Sequence, residues 1–200
     1  SSRTRVVLLV VSLLAGTSLA RDWFVRAGSD GDGSKAKPFG DPWQALDKCE
    51  AGDAIHIAAG KYVGRTGVGY WEIPFDDVQL IGGYNADFTE RNPWKNQTQL
   101  WWDKTSKNWP KQERLLSNHK GNVIDGLIID QRDQCKYQDD QQTGRMEKPC
   151  DSAMRFSLPV TVKNCVIVNP GFDGIVAPVG STFENNLIVN AVNWGINVNS

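Results

Sequence analysis

The octet Val162-Lys163-Asn164-Cys165-Val166-Ile167-Val168-Asn169 returns as Phe183-Glu184-Asn185-Asn186-Leu187-Ile188-Val189-Asn190, and Gly174-Ile175 returns as Gly195-Ile196. Both matches have an offset of 21 residues (190 − 169 and 195 − 174). A fixed period of this size signals a repeat architecture, in which each unit buries its apolar face against the next. Inside each copy the apolar residues alternate over short runs, and Asn, Gly and Asp fill the corners, which describes strands and turns. A helix-pair solenoid needs a 3.6-residue stripe and a longer unit; a leucine-rich repeat needs regular leucine spacing. Neither pattern is present. Coils with three short strands and asparagine at a recurring corner predict an all-β chain wound as a parallel β-helix. Stacked amides can satisfy one another, so Asn164 with Asn185, and Asn169 with Asn190, are candidate ladders, ordinary turn asparagines being the alternative.

Toward the N-terminus, Ile124-Asp125-Gly126-Leu127-Ile128-Ile129-Asp130 reads as an earlier copy, 39 residues before Asn169 (169 − 130). That offset is one period plus an insertion of about twenty residues, the polar stretch 131–151. An open first coil would expose apolar interior and unpaired strand edges, so such a solenoid needs a lid. Asp41-Pro42-Trp43-Gln44-Ala45-Leu46-Asp47-Lys48-Cys49 supplies one: Asp at the N-cap, Pro at the first helical position, and Trp43, Leu46 and Cys49 on one face. Ala51-Gly52-Asp53 then turns the chain into the strand Ala54–Ala58, with Ile55 and Ile57 facing one way, His56 the other, and Gly60 ending it.

Arg3 and Arg5 precede the apolar run 6–15, and Ser18-Leu19-Ala20 places small residues where a signal peptidase cuts. Residues 1–20 therefore read as a secretory signal peptide, an uncleaved anchor being the alternative, and no membrane span is expected after cleavage. Secretion or display at the cell surface follows. Export permits disulfides, and Cys49, Cys135, Cys150 and Cys165 allow three complete pairings. Cys135 and Cys150 flank one polar insertion and are the favoured pair. No CxxC element points to zinc. Charge is balanced, 22 Lys plus Arg against 23 Asp plus Glu, so a nucleic-acid partner is not expected.

The order Trp23-Phe24-Val25, the loop 28–34, Lys37-Pro38-Phe39, the helix, Gly52-Asp53-Ala54-Ile55-His56-Ile57 and Gly60-Lys61-Tyr62 resembles the opening of secreted right-handed parallel β-helix proteins of the pectate-lyase superfamily. The segment Leu80-Ile81-Gly82-Gly83-Tyr84 with Phe88-Thr89-Glu90-Arg91-Asn92-Pro93 strengthens the resemblance, which covers most of residues 22–92 and, more loosely, 122–200. It implies a right-handed parallel β-helix with a short N-terminal capping helix, residues 21–200 being the N-terminal part of a longer domain. It implies activity weakly, because one fold hosts lyases, hydrolases, epimerases and proteins without catalysis. Residues 93–118, rich in tryptophan (Trp94, Trp101, Trp102, Trp109), match no coil of the pattern.

In such a fold one sheet and the loops beside it form the groove. Alternation turns Arg155, Val176 and Asn197 outward in a column, with Met154, Ile175 and Ile196 inward, directly after the insertion that carries Asp133, Asp139, Asp140, Arg145 and Lys148. The resemblance implies a polysaccharide ligand or substrate. β-Elimination on an acidic glycan would need a basic residue to take the proton α to a uronate carboxyl, for which Arg155 is best placed. It would also need a cation such as Ca²⁺, for which Asp133, Asp139 and Asp140 are candidate ligands. Asn197 and Asp173 are candidate substrate contacts. A hydrolase would instead pair carboxylates, for instance Asp133 or Asp140 with Asp173. A surface arginine and a solvated acidic loop are the bland alternative. Trp101 and Trp102, adjacent in one strand, would place an indole on each side, for sugar stacking or for core filling. His56 and His119 have no Ser, Cys or second His at a telling distance and read as structural. Two functions follow: a secreted polysaccharide-degrading enzyme, or a non-catalytic glycan-binding or adhesin-like β-helix.

Overall fold

The computed structural model describes residues 19–103, 105, 114–131 and 151–199. The chain begins with β1 (Asp22–Val25) and α1 (Pro42–Leu46), then winds in rounds of three strands. The first round is β2 (Ala54–Ala58), β3 (Gly60–Val63) and β4 (Trp71–Ile73), and the second is β5 (Gln79–Tyr84), β6 (Thr98–Trp101) and β7 (Leu115–Ser117). The third is β8 (Val123–Asp125), β9 (Leu127–Asp130) and β10 (Met154–Phe156). The fourth is β11 (Thr161–Lys163), β12 (Val166–Val168) and β13 (Ile175–Pro178); the fifth is β14 (Thr182–Glu184), β15 (Leu187–Val189) and β16 (Ile196–Asn199). Each round gives one strand to each of three all-parallel sheets: sheet A (β1-β2-β5-β8-β11-β14), sheet B (β3-β6-β9-β12-β15) and sheet C (β4-β7-β10-β13-β16). This nearly all-β arrangement fits a parallel β-helix.

The short strands hold because alternate side chains stack on the same residue class in the next round. On sheet A, Leu80 pairs with Ile124, Ile124 with Val162 and Val162 with Phe183. On sheet B, Tyr62, Leu100, Ile129 and Ile167 follow one another, and on sheet C, Trp71, Leu115, Met154 and Ile175. All of these except Phe183 are buried, and they form one continuous core. Ile196 continues the sheet C stack but is 37% exposed, because β16 is paired on one side only.

The 21-residue period is the backbone register: Thr161 pairs with Thr182, Val166 with Leu187 and Ile175 with Ile196. The earlier copy is displaced by one residue from the sequence alignment. Val168 pairs with Asp130, not with Ile129 as an offset of 39 would require, so the true offset is 38 (168 − 130). The reason lies at the corner between sheets A and B. Gly126 (φ +74°) takes the left-handed conformation that Asn164 (φ +53°) and Asn185 (φ +51°) take in later rounds, so the corner glycine, not the aspartate before it, stacks under Asn164. The tryptophan-rich segment that matched no coil does contain regular strands, β6 and β7, which pair in register with their neighbours.

α1 contacts β1, β2 and β4, with Ala45 and Leu46 buried, Trp43 packed against the core, and Cys49 buried just beyond it. Gln44 Oε1 accepts the backbone N–H groups of Gly40 and Asp41 (3.0 Å each), tying down the entry to the helix. Burial pushes the Asp41 carboxyl up to about 7, against the N–H of Trp43, which lowers it. A raised carboxyl pKa means that the folded state holds a proton the unfolded chain has released. Stability therefore declines as pH climbs from about 4 to about 7. Asp41→Asn keeps an N-capping side chain and removes the charge. Because Asp41 is partly open to water, the expected gain near pH 8 is held to about 1 kcal/mol, with a flatter pH profile. Thermal unfolding of both proteins near pH 5 and pH 8 checks this; parallel profiles would refute it.

Cys49 and Cys165 are free and buried thiols, raised by burial to about 11 and about 12. Among the described residues there is thus no disulfide, and the expected Cys135–Cys150 pair lies outside them, as do residues 1–18 of the expected signal peptide. No helix among the described residues is long and apolar enough to cross a membrane.

Candidate functional site

The outward column expected from alternation is continuous across sheet C. Glu72 pairs with Leu116, Leu116 with Arg155, Arg155 with Val176, and Val176 with Asn197, each about 4.8 Å from the next. The column is not uniformly open. Arg155 and Asn197 are half-buried, and Val176 is 3% exposed although it points away from the interior stack.

Asp173 lies at the corner that leads into this sheet, and its geometry is that of a turn anchor. It is 1% exposed, and its oxygens accept from Asn193 Nδ2, the Trp194 backbone N–H and Asn197 Nδ2, all at 3.0 Å. The same bond positions Asn197, so two of the residues expected to contact substrate are brought together. Asp133, Asp139, Asp140, Arg145 and Lys148 lie outside the described residues. Among the described residues no group of three His, Cys, Asp or Glu side chains converges as a metal site.

At the front of sheet C the column opens into a cavity of ≈ 380 Å³ that sequence reasoning missed. Its walls come from three places: Trp43 and Leu46 of α1, Arg65, Val68 and Tyr70 of the loop after β3, and Glu72 of β4 with His119. Arg65 pairs with Asp47 (3.2 Å) and lies 5.0 Å from the Trp43 ring; His119 Nδ1 is 3.2 Å from Asp76. The signal was present in Trp43 and Tyr70, but only the packing of α1 against β4 brings those rings to Glu72.

The two adjacent tryptophans part company. Trp102 is 3% exposed, tilted against Tyr70 (6.1 Å), with the Arg114 guanidinium 5.2 Å from its ring. Arg114 is itself fully buried; burial pulls its pKa down, and Asp130 opposes the shift. Trp101 is half-buried on the other side of the strand. It lines a groove of ≈ 520 Å³ on the outer face of sheet B, with Trp94 and Pro93 from the preceding loop. The two candidate stacking residues thus divide into core and surface, as strand alternation requires.

Both asparagine ladders are present. Asn185 Nδ2 donates to Asn164 Oδ1 (2.8 Å) and Asn164 Nδ2 to Asp125 Oδ1 (2.7 Å); Asn190 Nδ2 donates to Asn169 Oδ1 (3.0 Å) and Asn169 Nδ2 to Asp130 Oδ1 (3.4 Å). They fix the corners on either side of sheet B, and so the pitch on which both outer faces depend. His56 accords with a structural part: its ring bridges Asp22 (2.8 Å) and Tyr84 (3.0 Å) and stacks on Phe24.

No family model, no curated protein and no solved structure matches the chain.

Proposed function

We propose that this chain is a secreted or cell-surface, carbohydrate-active right-handed parallel β-helix protein of the pectate-lyase-like kind, capped by α1, which holds a polysaccharide along sheet C. The observation that carries this reading is the in-register column from Glu72 through Arg155 to Asn197, opening at its front into the cavity walled by Trp43 and Tyr70. A rigid face with polar side chains two rungs apart, separated by apolar ones and beside aromatic rings, suits a polymer of hydroxyl-bearing rings. An extended chain crossing the rungs meets one such side chain at every second rung.

A second reading, polysaccharide lyase, is favoured by one observation: Arg155 is the basic residue of this column. In that reading Arg155 takes the proton α to a uronate carboxyl, Asn197 orients the sugar, and Ca²⁺ held by Asp133, Asp139 and Asp140 would supply positive charge for the developing enolate. The test is a panel of pectin, alginate and glycosaminoglycans, watched for the ultraviolet absorbance of unsaturated products with and without added Ca²⁺, alongside direct binding. If the protein is a lyase, Arg155→Ala lowers turnover by about 10²–10⁴-fold. If it only binds, no product absorbs and Arg155→Ala weakens binding by about tenfold. Absence of both turnover and binding across the panel would sink the proposal.

A further inference from the structure

We propose that the outer face of sheet B is a second glycan-binding site, specific for a neutral, flat pyranose chain and separate from the sheet C column. Trp94 and Trp101 line one groove of ≈ 520 Å³, within the size range of ligand sites, and Trp94 is 52% exposed. An indole face offered to solvent stacks on the C–H face of a sugar ring, and a pyranose with equatorial hydroxyls presents such a face on both sides. β6 and the residue before it add two amides to the lining, Gln99 and Gln97. Trp101 Nε1 donates to Gln99 Oε1 (3.2 Å) and Gln99 Nε2 to Gln97 Oε1 (3.2 Å), a relay of polar side chains in the lining of the same groove. Beyond Gln99 the floor is apolar: Ile128 pairs with Gln99, and Val166 with Ile128, in successive rungs.

Charge decides the class of sugar. Among the described residues the groove is lined by one carboxylate, Asp130, and by no Lys or Arg. A uronate or sulfated chain would bring like charge to Asp130, with no cation among the described lining residues to meet it, whereas hydroxyls can donate to the carboxylate. The nearest cation on this strand pair, Lys61, sits with its Nζ 3.5 Å over the Trp101 ring, on the row of Gln99.

The test is titration with cellohexaose and soluble glucomannan as neutral probes and with oligogalacturonate as the acidic probe, read by tryptophan fluorescence and by calorimetry. The wild-type protein is expected to bind the neutral probes. Trp101→Ala and Trp94→Ala each weaken that binding on the order of tenfold, and Trp101→Phe retains most of it. Far-UV circular dichroism and the unfolding midpoint control for folding. Should Trp101→Ala fold poorly, Gln97→Ala at an exposed position is expected to weaken the neutral probes several-fold on its own. Failure of the wild type to bind neutral probes overturns the inference, as do tryptophan variants that bind normally or preference for oligogalacturonate at a Trp101-dependent site. Neutral-probe binding lost in Arg155→Ala but kept in Trp101→Ala also overturns it, and leaves the sheet C reading standing.

Discussion

Ile124→Ala is expected to lower the free energy of unfolding by about 2–5 kcal/mol, while Ile128→Ala, four residues on, costs less than about 1 kcal/mol. Both are isoleucines in adjacent strands of one round, so the contrast isolates position from chemistry. Ile124 is fully buried on sheet A between Leu80 and Val162, and truncation there leaves a cavity that parallel neighbours fixed by their own ladders cannot collapse to fill. Ile128 is half-buried on the outer face of sheet B and already meets the open groove. Urea unfolding of the two variants measures the difference through the midpoint at unchanged slope. Equal losses would mean that both side chains share one interior, and the alternation underlying both outer faces would be wrong.

The winding was legible because a repeat multiplies weak signals. One alternating octet is ambiguous, but two octets at a fixed offset carry their strands, corners and stacked asparagines together, and Thr161, Val166 and Ile175 pair at that offset. The same logic explains the single-residue error in the earlier copy. Matching letters set Asp125 against Asn164, whereas the backbone matches left-handed corners, a conformation open to glycine and asparagine alike, so Gly126 takes the place. Strands β6 and β7 were hidden because polar Thr98 and Ser117 are buried at inward positions while Trp101 and Leu116 stand at outward ones, which inverts the alternation seen elsewhere.

Less of the site could be read. Strand periodicity put Arg155, Val176 and Asn197 in one column, but it could not say that Val176 would be covered or that Asp173 would be surrounded by donors from the next round. Those outcomes depend on corner geometry, which alternation does not encode. The cavity at the front of sheet C joins α1, the loop after β3 and His119, pieces separated by up to 76 residues (119 − 43). Only tertiary packing reveals such a site. The Trp101–Trp102 pair is the intermediate case: the strand period foretold one indole on each side, and the neighbouring strands decided which was buried.

Asp125→Ala is expected to cost about 2–4 kcal/mol, an effect comparable to a core truncation although no apolar contact of note is removed. Asp125 closes the lower end of the Asn164–Asn185 ladder, ion-pairs with Arg91, and has Lys163 Nζ 3.7 Å away; its side chain is 9% exposed. Arg91 also donates through Nε to the Gly82 carbonyl (2.9 Å), so one carboxylate ties the loop after β5 to the corner between sheets A and B. Removing it leaves a partly buried guanidinium without its counter-charge and the Asn164 amide without its acceptor, and both losses carry desolvation costs. Asp125→Asn keeps an acceptor for Asn164 and loses the charge, so its cost should fall between those of wild type and alanine. In a double-mutant cycle, Asp125→Ala and Asn164→Ala should couple by about 0.5–3 kcal/mol, since the second change removes a bond the first has already broken. Strict additivity, or an alanine variant within about 0.5 kcal/mol of wild type, would show that the rungs keep their pitch by strand pairing alone, and that the corner column follows the coil instead of setting it.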